Sequence, residues 1–319
     1  MAAAALGVLG AMVGAPSSAL ADHEHLWCVD DAGPGAPFAC SGGLPCANSS
    51  PFASLQQAVD AARATPDSSG GGRPEHRFCV VSLASQPAHV DSVHFDNGDG
   101  ALGARIRVEF WSSAATTLCP DPSSNADSAV LEVTGAATGP RTEFEVSGLR
   151  FSNEDCAVAS RTILRGRRAD LVVDGAFGQG AAVDLVQLEE DARFFGYRSR
   201  FQAGRGSFVS GDGSVFLEDV QIDAFQPPAG RAVIDVRGLA TPNRLAFGGA
   251  FGNVTSGGAP LFRFGGRVSI ASSVLAGNVV LDDGDLIEIE FPAARQGSRF
   301  TDCVIARNQL LGVGTGEVA

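Results

Sequence analysis

Closely spaced carboxylates are the residues of this chain that could most readily do chemistry. Three aspartates share the turn-like segment Asp282-Asp283-Gly284-Asp285. Carboxylate oxygens are the ligands that Ca²⁺ prefers, so Asp282, Asp283 and Asp285 form a candidate calcium site. The segment lacks the glutamate and the spacing of an EF-hand loop, and we prefer to interpret it as a solvated turn. Calcium is the only cofactor that the sequence suggests.

Glutamate pairs suggest a second chemistry, the hydrolysis of glycosidic bonds. Glu143 with Glu145, and Glu288 with Glu290, would each share one face of an extended strand. Inverting glycosidases need two carboxylates about 6.5–9.5 Å apart, and such pairs could provide that separation. Exposed strands commonly carry similar pairs, so a solvent-facing role is the preferred interpretation. The G-x-S-x-G, H-E-x-x-H and phosphate-loop motifs are absent.

The charge balance restricts the partners of this protein. The chain has 23 basic residues, all arginine, against 36 acidic residues, and its net charge is −13. Nucleic-acid binding depends on clustered cations, so we exclude nucleic acid as a partner and disfavour an anionic membrane surface. Arg165-Gly166-Arg167-Arg168 is the one basic cluster. It could bind an acidic sugar or a lipopolysaccharide phosphate, although a solvated corner explains it as well.

The first residues indicate export. Residues 1–21 carry no charge, and Ala19 and Ala21 form a small-x-small cleavage pattern ahead of polar residues. This predicts a signal peptide, although a basic start is missing, and it places the mature protein outside the cell or on its surface. No later stretch is long enough to span a bilayer.

Seven cysteines in a secreted chain favour disulfides with one thiol left over. Cys40 and Cys46 flank a short Gly-rich loop, and Cys28 and Cys79 lie in two strand-like runs. The expected pairs are therefore Cys28–Cys79, Cys40–Cys46 and Cys119–Cys156, with Cys303 free. Other pairings stay open because spacing alone does not fix connectivity.

One helix is predicted, over residues 52–64. Ser50 provides a cap and Pro51 a favourable first-turn residue. Apolar residues then recur at helical spacing: Phe52, Leu55, Ala58, Val59 and Ala62. A Ser- and Gly-rich stretch ends the helix.

A short motif repeats from about residue 78 and predicts the fold. It consists of two apolar residues, one variable residue, and another apolar residue or glycine. The variable positions are Ser82, Arg107, Glu132, Arg165, Gln187, Ser210, Asp235, Arg263 and Glu288, with steps of 22 to 33 residues. A period near 25 residues with short strands is typical of a β-solenoid, here of about nine coils. The alternative is a β-sandwich with irregular strands.

In this register the variable positions form one outward-facing column. Asp235, Arg263 and Glu288 would then be a carboxylate–guanidinium–carboxylate ladder on three consecutive coils. Cross-strand ion pairs contribute about 0.2–1 kcal/mol each, so such a ladder helps register more than stability. A ligand-binding face is the alternative reading of this column.

The helix SLQQAVDAA and the coil endings VLAGN and VIARN, which follow a secreted start, resemble the right-handed parallel β-helix (pectate-lyase-like) superfamily. The resemblance implies that the helix caps the open first coil. The asparagines that end the coils, Asn253, Asn278 and Asn308, are expected at left-handed corners. The resemblance to this superfamily also implies a candidate activity, because its polysaccharide lyases use acidic residues to hold Ca²⁺ and a basic residue to abstract a proton. The Asn-Thr-Asp and paired-aspartate signatures of polygalacturonases are absent.

These inferences predict an all-β chain with four segments. They are a signal peptide (1–21), an N-terminal cap with disulfide-bearing loops (22–77), a right-handed parallel β-helix (78–309) and an uncapped tail (310–319). The tail leads us to expect that the natural chain continues or that this end packs on a partner. The predicted function is a secreted or cell-surface scaffold, adhesin-like or carbohydrate-contacting, with polysaccharides or cell-surface components as partners. The alternative is an extracellular polysaccharide lyase or glycosidase acting from the side of the rod, but few aromatic residues are available for sugar stacking: one tyrosine (Tyr197) and two tryptophans.

Overall fold

The structure is a computed structural model that describes residues 24–30, 52–65, 75–82, 88–90, 92–110, 118–120, 129–148, 150–152, 161–180, 183–239, 242–246, 248–291 and 297–312. The signal peptide predicted for 1–21 lies outside these residues, as do Cys40, Cys46 and Cys156. Within them, no helix is long and apolar enough to cross a membrane.

One helix and short strands make up the described residues. The helix is α1 (Leu55–Ala64). The strands are β1 (Glu24–Asp30), β2 (Glu75–Ser82), β3 (Ala88–Val90), β4 (Val93–Asp96), β5 (Arg105–Phe110), β6 (Leu118–Pro120), β7 (Leu131–Thr134), β8 (Thr142–Ser147), β9 (Arg150–Ser152), β10 (Leu164–Arg167), β11 (Ala169–Asp174), β12 (Phe177–Gln179), β13 (Val186–Glu189), β14 (Arg193–Gln202), β15 (Val209–Gly211), β16 (Ser214–Asp223), β17 (Ile234–Val236), β18 (Asn243–Ala246), β19 (Gly249–Phe251), β20 (Val254–Thr255), β21 (Phe262–Phe264), β22 (Val268–Ala271), β23 (Val274–Ala276), β24 (Val279–Leu281), β25 (Ile287–Ile289), β26 (Arg299–Thr301), β27 (Val304–Ala306) and β28 (Gln309–Leu311).

The strands stack in long parallel sheets, in which spatial neighbours come from successive coils of the chain. The long sheet has the central order β1-β2-β5-β8-β11-β14-β16-β18-β22-β26, and a second sheet has the order β4-β7-β10-β13-β15-β17-β21-β25. Every pairing among the described strands is parallel, for example β8 with β11 and β17 with β21. The all-β class and the stacking of parallel strands are therefore confirmed, and the arrangement is consistent with a parallel β-helix.

Side chains alternate between the inside and the outside of the stack. In β8, Thr142, Phe144 and Val146 are buried, whereas Glu143 and Glu145 are half-buried on the outer face. The inner residues form one continuous core whose largest fully buried side chains are mostly phenylalanines: Phe78, Phe95, Phe144, Phe194, Phe201, Phe208, Phe225, Phe262 and Phe264. Because each coil leaves its apolar face open until the next coil covers it, stacking completes this core.

The second sheet contains most of the predicted column, with one correction. His94, Glu132, Arg165, Gln187, Ser210, Asp235, Arg263 and Glu288 are successive register partners. Ser82 and Arg107 were wrongly placed in this column, since both lie in the long sheet, where Ser82 pairs with Asp30 and Arg107 with Arg77 and Glu145. The connections between strands are longer in the early coils. Counting back from Glu132 in steps of 25 residues therefore leads to strands of the long sheet.

Helix α1 begins later than predicted. Ser54, not Ser50, is its N-cap, and the Ser54 hydroxyl accepts a hydrogen bond from the Gln57 N–H at 3.3 Å. Phe52 instead donates its N–H to the Cys28 carbonyl at 2.9 Å and so extends the edge of β1. The buried residues Leu55, Ala58, Val59 and Ala62 attach the helix to β1, β2 and β4.

The left-handed corners lie one residue before the asparagines that the sequence singled out. Gly252, Gly277 and Arg307 have φ values of 60°, 67° and 56°. Asn253, Asn278 and Asn308 were wrongly expected in this conformation. Arg307 shows that the corner does not require glycine. The asparagines have a different structural role.

The three asparagines stack as an amide ladder that is buried at Asn253 and Asn278. Asn253 Nδ2 donates to Asn278 Oδ1 at 2.9 Å, and Asn278 Nδ2 donates to Asn308 Oδ1 at 2.9 Å. Each Oδ1 also accepts a backbone N–H from the coil before it, as Asn278 does from Asn253 at 3.1 Å. The ladder therefore ties three coils together at one corner and satisfies polar groups that water does not reach.

The stack extends beyond the boundaries expected for the β-helix. β1 belongs to the long sheet although it precedes residue 78, and β28 continues the coils to Leu311. On this last coil Phe300, Ile305 and Leu310 are 49%, 54% and 41% exposed. Their register partners one coil earlier, Ile270, Leu275 and Val280, are buried.

The predicted Cys28–Cys79 disulfide agrees with the register of the first two strands. Cys28 and Cys79 are direct partners in the β1–β2 pair, and neither side chain is exposed. Strands about 4.8 Å apart place two Cα atoms within the range that a disulfide requires. We expect non-reducing peptide mapping of the protein purified without reductant to recover the peptides of Cys28 and Cys79 as one crosslinked species. Alkylation of both thiols in denaturant without reductant would contradict this prediction.

Candidate functional site

An open cleft of about 600 Å³ lies on the outer face of the long sheet. Its lining residues come from five neighbouring strands, β5, β8, β11, β14 and β16. Two of these residues lie at bends within β14 and β16. They are Arg105, Glu143, Glu145, Val172, Asp174, Tyr197, Arg198, Glu218 and Asp219. The cleft therefore crosses successive coils of the rod.

The strand register places a tyrosine between two carboxylates at the centre of this cleft. Asp174 on β11, Tyr197 on β14 and Glu218 on β16 are successive register partners. Neighbouring strands lie about 4.8 Å apart, so one carboxylate flanks the phenol ring on each adjacent coil. A ligand lying on Tyr197 would reach both acidic side chains.

Left-handed corners form one edge of the cleft. Arg198 and Asp219 have φ values of 45° and 55°, at the point where β14 and β16 bend. The bend turns both side chains outward, where they are exposed. Both corner residues line the cleft.

Arg105 holds two glutamates at one end of the cleft. Its Nε atom lies 2.9 Å from Glu143, and its second guanidinium nitrogen lies 2.9 Å from Glu145. Arg107 also pairs with Glu145 at 2.9 Å. Burial lowers the pKa of Arg105, but the charges of Glu143, Glu75 and Glu145 outweigh it and the pKa is raised. These glutamates are therefore neutralised by the protein itself.

At the other end of the cleft, one acidic residue has an arginine partner and two acidic residues do not. Arg198 forms a bidentate pair with Asp174, in which its Nε donates at 2.8 Å, and this hydrogen bond raises the pKa of Arg198. Glu218 and Asp219 are exposed and form no ion pair with any residue that the structure describes. Two carboxylates in the cleft are thus left for solvent or a ligand.

Tyr197 is the aromatic residue of the cleft. Burial raises the pKa of its phenol, the nearby charge of Glu218 raises it further, and the charge of Arg244 offsets part of this increase. The hydroxyl group therefore remains a hydrogen-bond donor at neutral pH. In the described part of the chain neither this hydroxyl nor the ring has a hydrogen-bonding or stacking partner. Both are available to a ligand.

This arrangement suits a sugar ring. Sugar hydroxyls can donate to the carboxylates, and the apolar face of the ring can pack on Tyr197, whose body is apolar and whose tip is polar. Ligand sites typically combine an apolar contact with a few placed polar groups in a concave surface.

The predicted Asp235–Arg263–Glu288 ladder lies on the second sheet, away from this cleft. Arg263 contacts Asp235 at 3.1 Å and Glu288 at 2.9 Å. Arg237 contacts Asp235 at 3.4 Å, and Glu290 lies 3.9 Å from Arg263. The Glu288 and Glu290 pair, considered above for hydrolysis, therefore belongs to a closed ion-pair network.

The calcium candidate does not come together as a metal site. Asp282 and Asp283 adopt left-handed turn conformations, with φ values of 60° and 61°. The Asp282 carboxylate accepts the Gly257 N–H at 2.7 Å, and Asp285 is exposed. Among the residues that the structure describes, no three potential ligand side chains form a group that could hold a metal ion.

The basic cluster is likewise occupied by protein carboxylates. Arg167 pairs with Glu189 at 2.9 Å, and Arg168 pairs with Glu190 at 3.2 Å. Arg165 lies 3.6 Å from Glu132. An incoming anionic group would have to displace these partners.

Sequence reasoning missed the cleft because its residues are scattered along the chain. The alternation in β14 was the available signal, since Phe194 and Gly196 point inward while Phe195 and Tyr197 point outward. The outer Phe195 stacks on Phe216 with ring centroids 4.6 Å apart. Its ring also contacts Arg193, at 5.4 Å from the centroid. This stack joins two coils beside the cleft.

Comparisons with known proteins give little guidance. No protein-family model matches the chain, and no curated protein matches it. Among solved structures, tailspike protein 3 of bacteriophage CBA120 aligns with 10% identity and a TM-score of 0.24, over 90% of this chain and 66% of the tailspike chain. The chain thus spans just under two thirds of that protein. We base no argument on so low a score.

Proposed function

We propose that this chain is a secreted or cell-surface β-helix protein that contacts carbohydrate through the cleft at Tyr197. One observation supports it most: a partly buried tyrosine, with no partner for its ring or hydroxyl in the described residues, lies between carboxylates of two adjacent coils. The predicted signal peptide supports the location. A rod of parallel coils supports a scaffold role because it holds such a surface rigidly.

We extend the proposal to the finer features of the fold. The stack is a right-handed parallel β-helix of the pectate-lyase-like kind, and α1 caps its first coil. The support is the position of α1, whose apolar side packs on β1, β2 and β4 beside the edge strand β1. A covered edge strand is protected from pairing with other chains.

Replacing Tyr197 tests the proposed function. We expect Tyr197→Ala to weaken binding to the best polysaccharide of a broad panel by at least about tenfold, or about 1.4 kcal/mol, because the ring supplies the apolar contact. Affinity electrophoresis followed by calorimetry would measure the change. Tyr197→Phe, which retains the ring, should lose less.

Phe251→Ala provides the matched control. Phe251 is a half-buried aromatic on β19 that does not line the cleft, so its removal should leave binding near the wild-type value. Equal binding by the wild type, Tyr197→Ala and Phe251→Ala would overturn the proposal.

A second candidate, an extracellular glycosidase or lyase, is favoured by the five carboxylates that line the cleft. We place it second because Glu143, Glu145 and Asp174 are held by arginines. Glu218 is exposed, whereas a general acid needs a desolvated carboxyl group. Release of reducing ends or unsaturated products from the same panel, abolished by Glu218→Gln, would reverse this order.

A further inference from the structure

We infer that the cleft accepts uncharged glycans and rejects glycans that carry carboxylates, such as uronate polymers. This inference rests on the proposed carbohydrate-binding function and names the substrate class of the same site. It follows from the charges around Tyr197 and from how each charge is already used.

The cleft has an excess of negative charge. Its lining contains five carboxylates and two guanidinium groups. The excess lies where a ligand would be held, because Asp174 and Glu218 flank Tyr197 on the two adjacent strands. At physiological salt the screening length is about 8 Å, longer than one strand spacing, so a uronate placed over Tyr197 would experience both charges.

Neither guanidinium that lines the cleft is free to compensate a uronate, and Arg244, whose charge also reaches Tyr197, does not line the cleft. Arg105 lies within 4 Å of three carboxylates, those of Glu75, Glu143 and Glu145. Arg198 is held by both oxygens of Asp174. A ligand carboxylate would have to break one of these pairs and leave a protein carboxylate without its partner.

Uncharged sugars avoid this conflict and gain contacts. Their hydroxyls can donate to Glu218 and Asp219, which form no ion pair among the described residues, and hydrogen bonds to charged acceptors are stronger than neutral ones. The phenol of Tyr197 remains protonated because burial and Glu218 raise its pKa, so it can donate to a ring or glycosidic oxygen. The same residues therefore attract a neutral glycan and repel an anionic one.

The experiment compares polymers that differ only in charge. A panel of neutral hexose polymers would be tested beside their C6-oxidised forms, in which primary hydroxyls become carboxylates, and beside polygalacturonate. We expect a neutral polymer to be the best ligand and its oxidised form to bind at least tenfold more weakly at low salt. The ratio should shrink at high salt.

Two matched variants separate local charge from shape and from the net charge of the protein. Glu218→Gln with Asp219→Asn should lower the neutral-to-oxidised ratio at least threefold, since the two cleft carboxylates without an ion pair among the described residues lose their charge. Asp283→Asn with Asp285→Asn removes the same charge from an exposed turn outside the cleft and should leave the ratio unchanged.

The outcomes are distinct. Tightest binding to polygalacturonate or to an oxidised polymer would overturn the inference and leave the carbohydrate function standing. A ratio that neither salt nor the Glu218 and Asp219 changes alter would also overturn it, because shape would then explain the preference. Failure to bind every polymer would overturn the proposed function itself.

Discussion

Asn278→Ala is expected to lower the free energy of unfolding by about 3 kcal/mol, because it removes the buried middle rung of the amide ladder. Asn278 accepts from the side chain and the backbone N–H of Asn253 and donates to Asn308 and to the Ala250 carbonyl at 3.0 Å. Alanine would leave several of these buried groups without partners, and each orphaned group costs about 1–3 kcal/mol. Urea unfolding followed by circular dichroism would measure the change.

Asn308→Ala provides the comparison. Asn308 is the last rung and is only partly buried, so water can reach the groups that its truncation leaves. We expect a loss of about 1 kcal/mol there. Equal destabilisation by Asn278→Ala and Asn308→Ala, or none by either, would show that the ladder contributes less than its burial implies.

The stacking of coils could be read from the sequence over the later part of the chain. From Glu132 to Glu288 the variable positions are true register partners, although their steps vary from 22 to 33 residues. Ser82 and Arg107 failed because the pattern of apolar residues is the same in both sheets. A local motif identifies a strand, but it does not identify the face of the rod on which that strand lies.

The asparagines show a similar limit. Their recurrence at coil ends is visible in the sequence. Because asparagine tolerates a left-handed backbone, they were expected at the left-handed corners. The structure gives that conformation to Gly252, Gly277 and Arg307. The benefit of a buried amide appears only when three coils are stacked, since each amide is satisfied by residues about one coil away in sequence.

The cleft could not be assembled from sequence for a related reason. Arg105 and Asp219 lie more than a hundred residues apart, and nothing in the spacing of the lining residues marks them as neighbours. The outward position of Tyr197 was predictable from the alternation of β14. Its carboxylate neighbours required the register of β11 and β16.

The outer face of the second sheet and the part of the cleft around Tyr197 differ in how their charges are used, and this difference supports the proposed function. On the second sheet Arg165, Arg167 and Arg263 contact carboxylates of adjacent coils. On the long sheet the cleft keeps Glu218, Asp219 and Tyr197 without such partners among the described residues. A face whose charges are paired stabilises register, whereas a face with unused donors and acceptors can bind.

Arg263→Ala is therefore expected to affect stability and not binding, with a loss of about 3 kcal/mol in the free energy of unfolding. The Arg263 side chain is 13% exposed and that of Asp235 is 9% exposed, so truncation leaves a nearly buried carboxylate. Arg237 lies 3.4 Å from Asp235 but is 53% exposed, and it can replace only part of the lost interaction. Urea unfolding would measure the loss, and glycan affinity measured at native conditions should stay at the wild-type value.

Two companion variants show whether buried charge is the cause. Adding Asp235→Asn to Arg263→Ala should restore at least about 1 kcal/mol, because the unpaired carboxylate is removed. Arg167→Ala removes an arginine that is 46% exposed and pairs at 2.9 Å with Glu189, which is 29% exposed, and it should cost less than about 1 kcal/mol. If Arg263→Ala and Arg167→Ala cost the same, the ladder is an ordinary surface feature. If Arg263→Ala weakens glycan binding while the fold is intact, the second sheet and not the cleft carries the function.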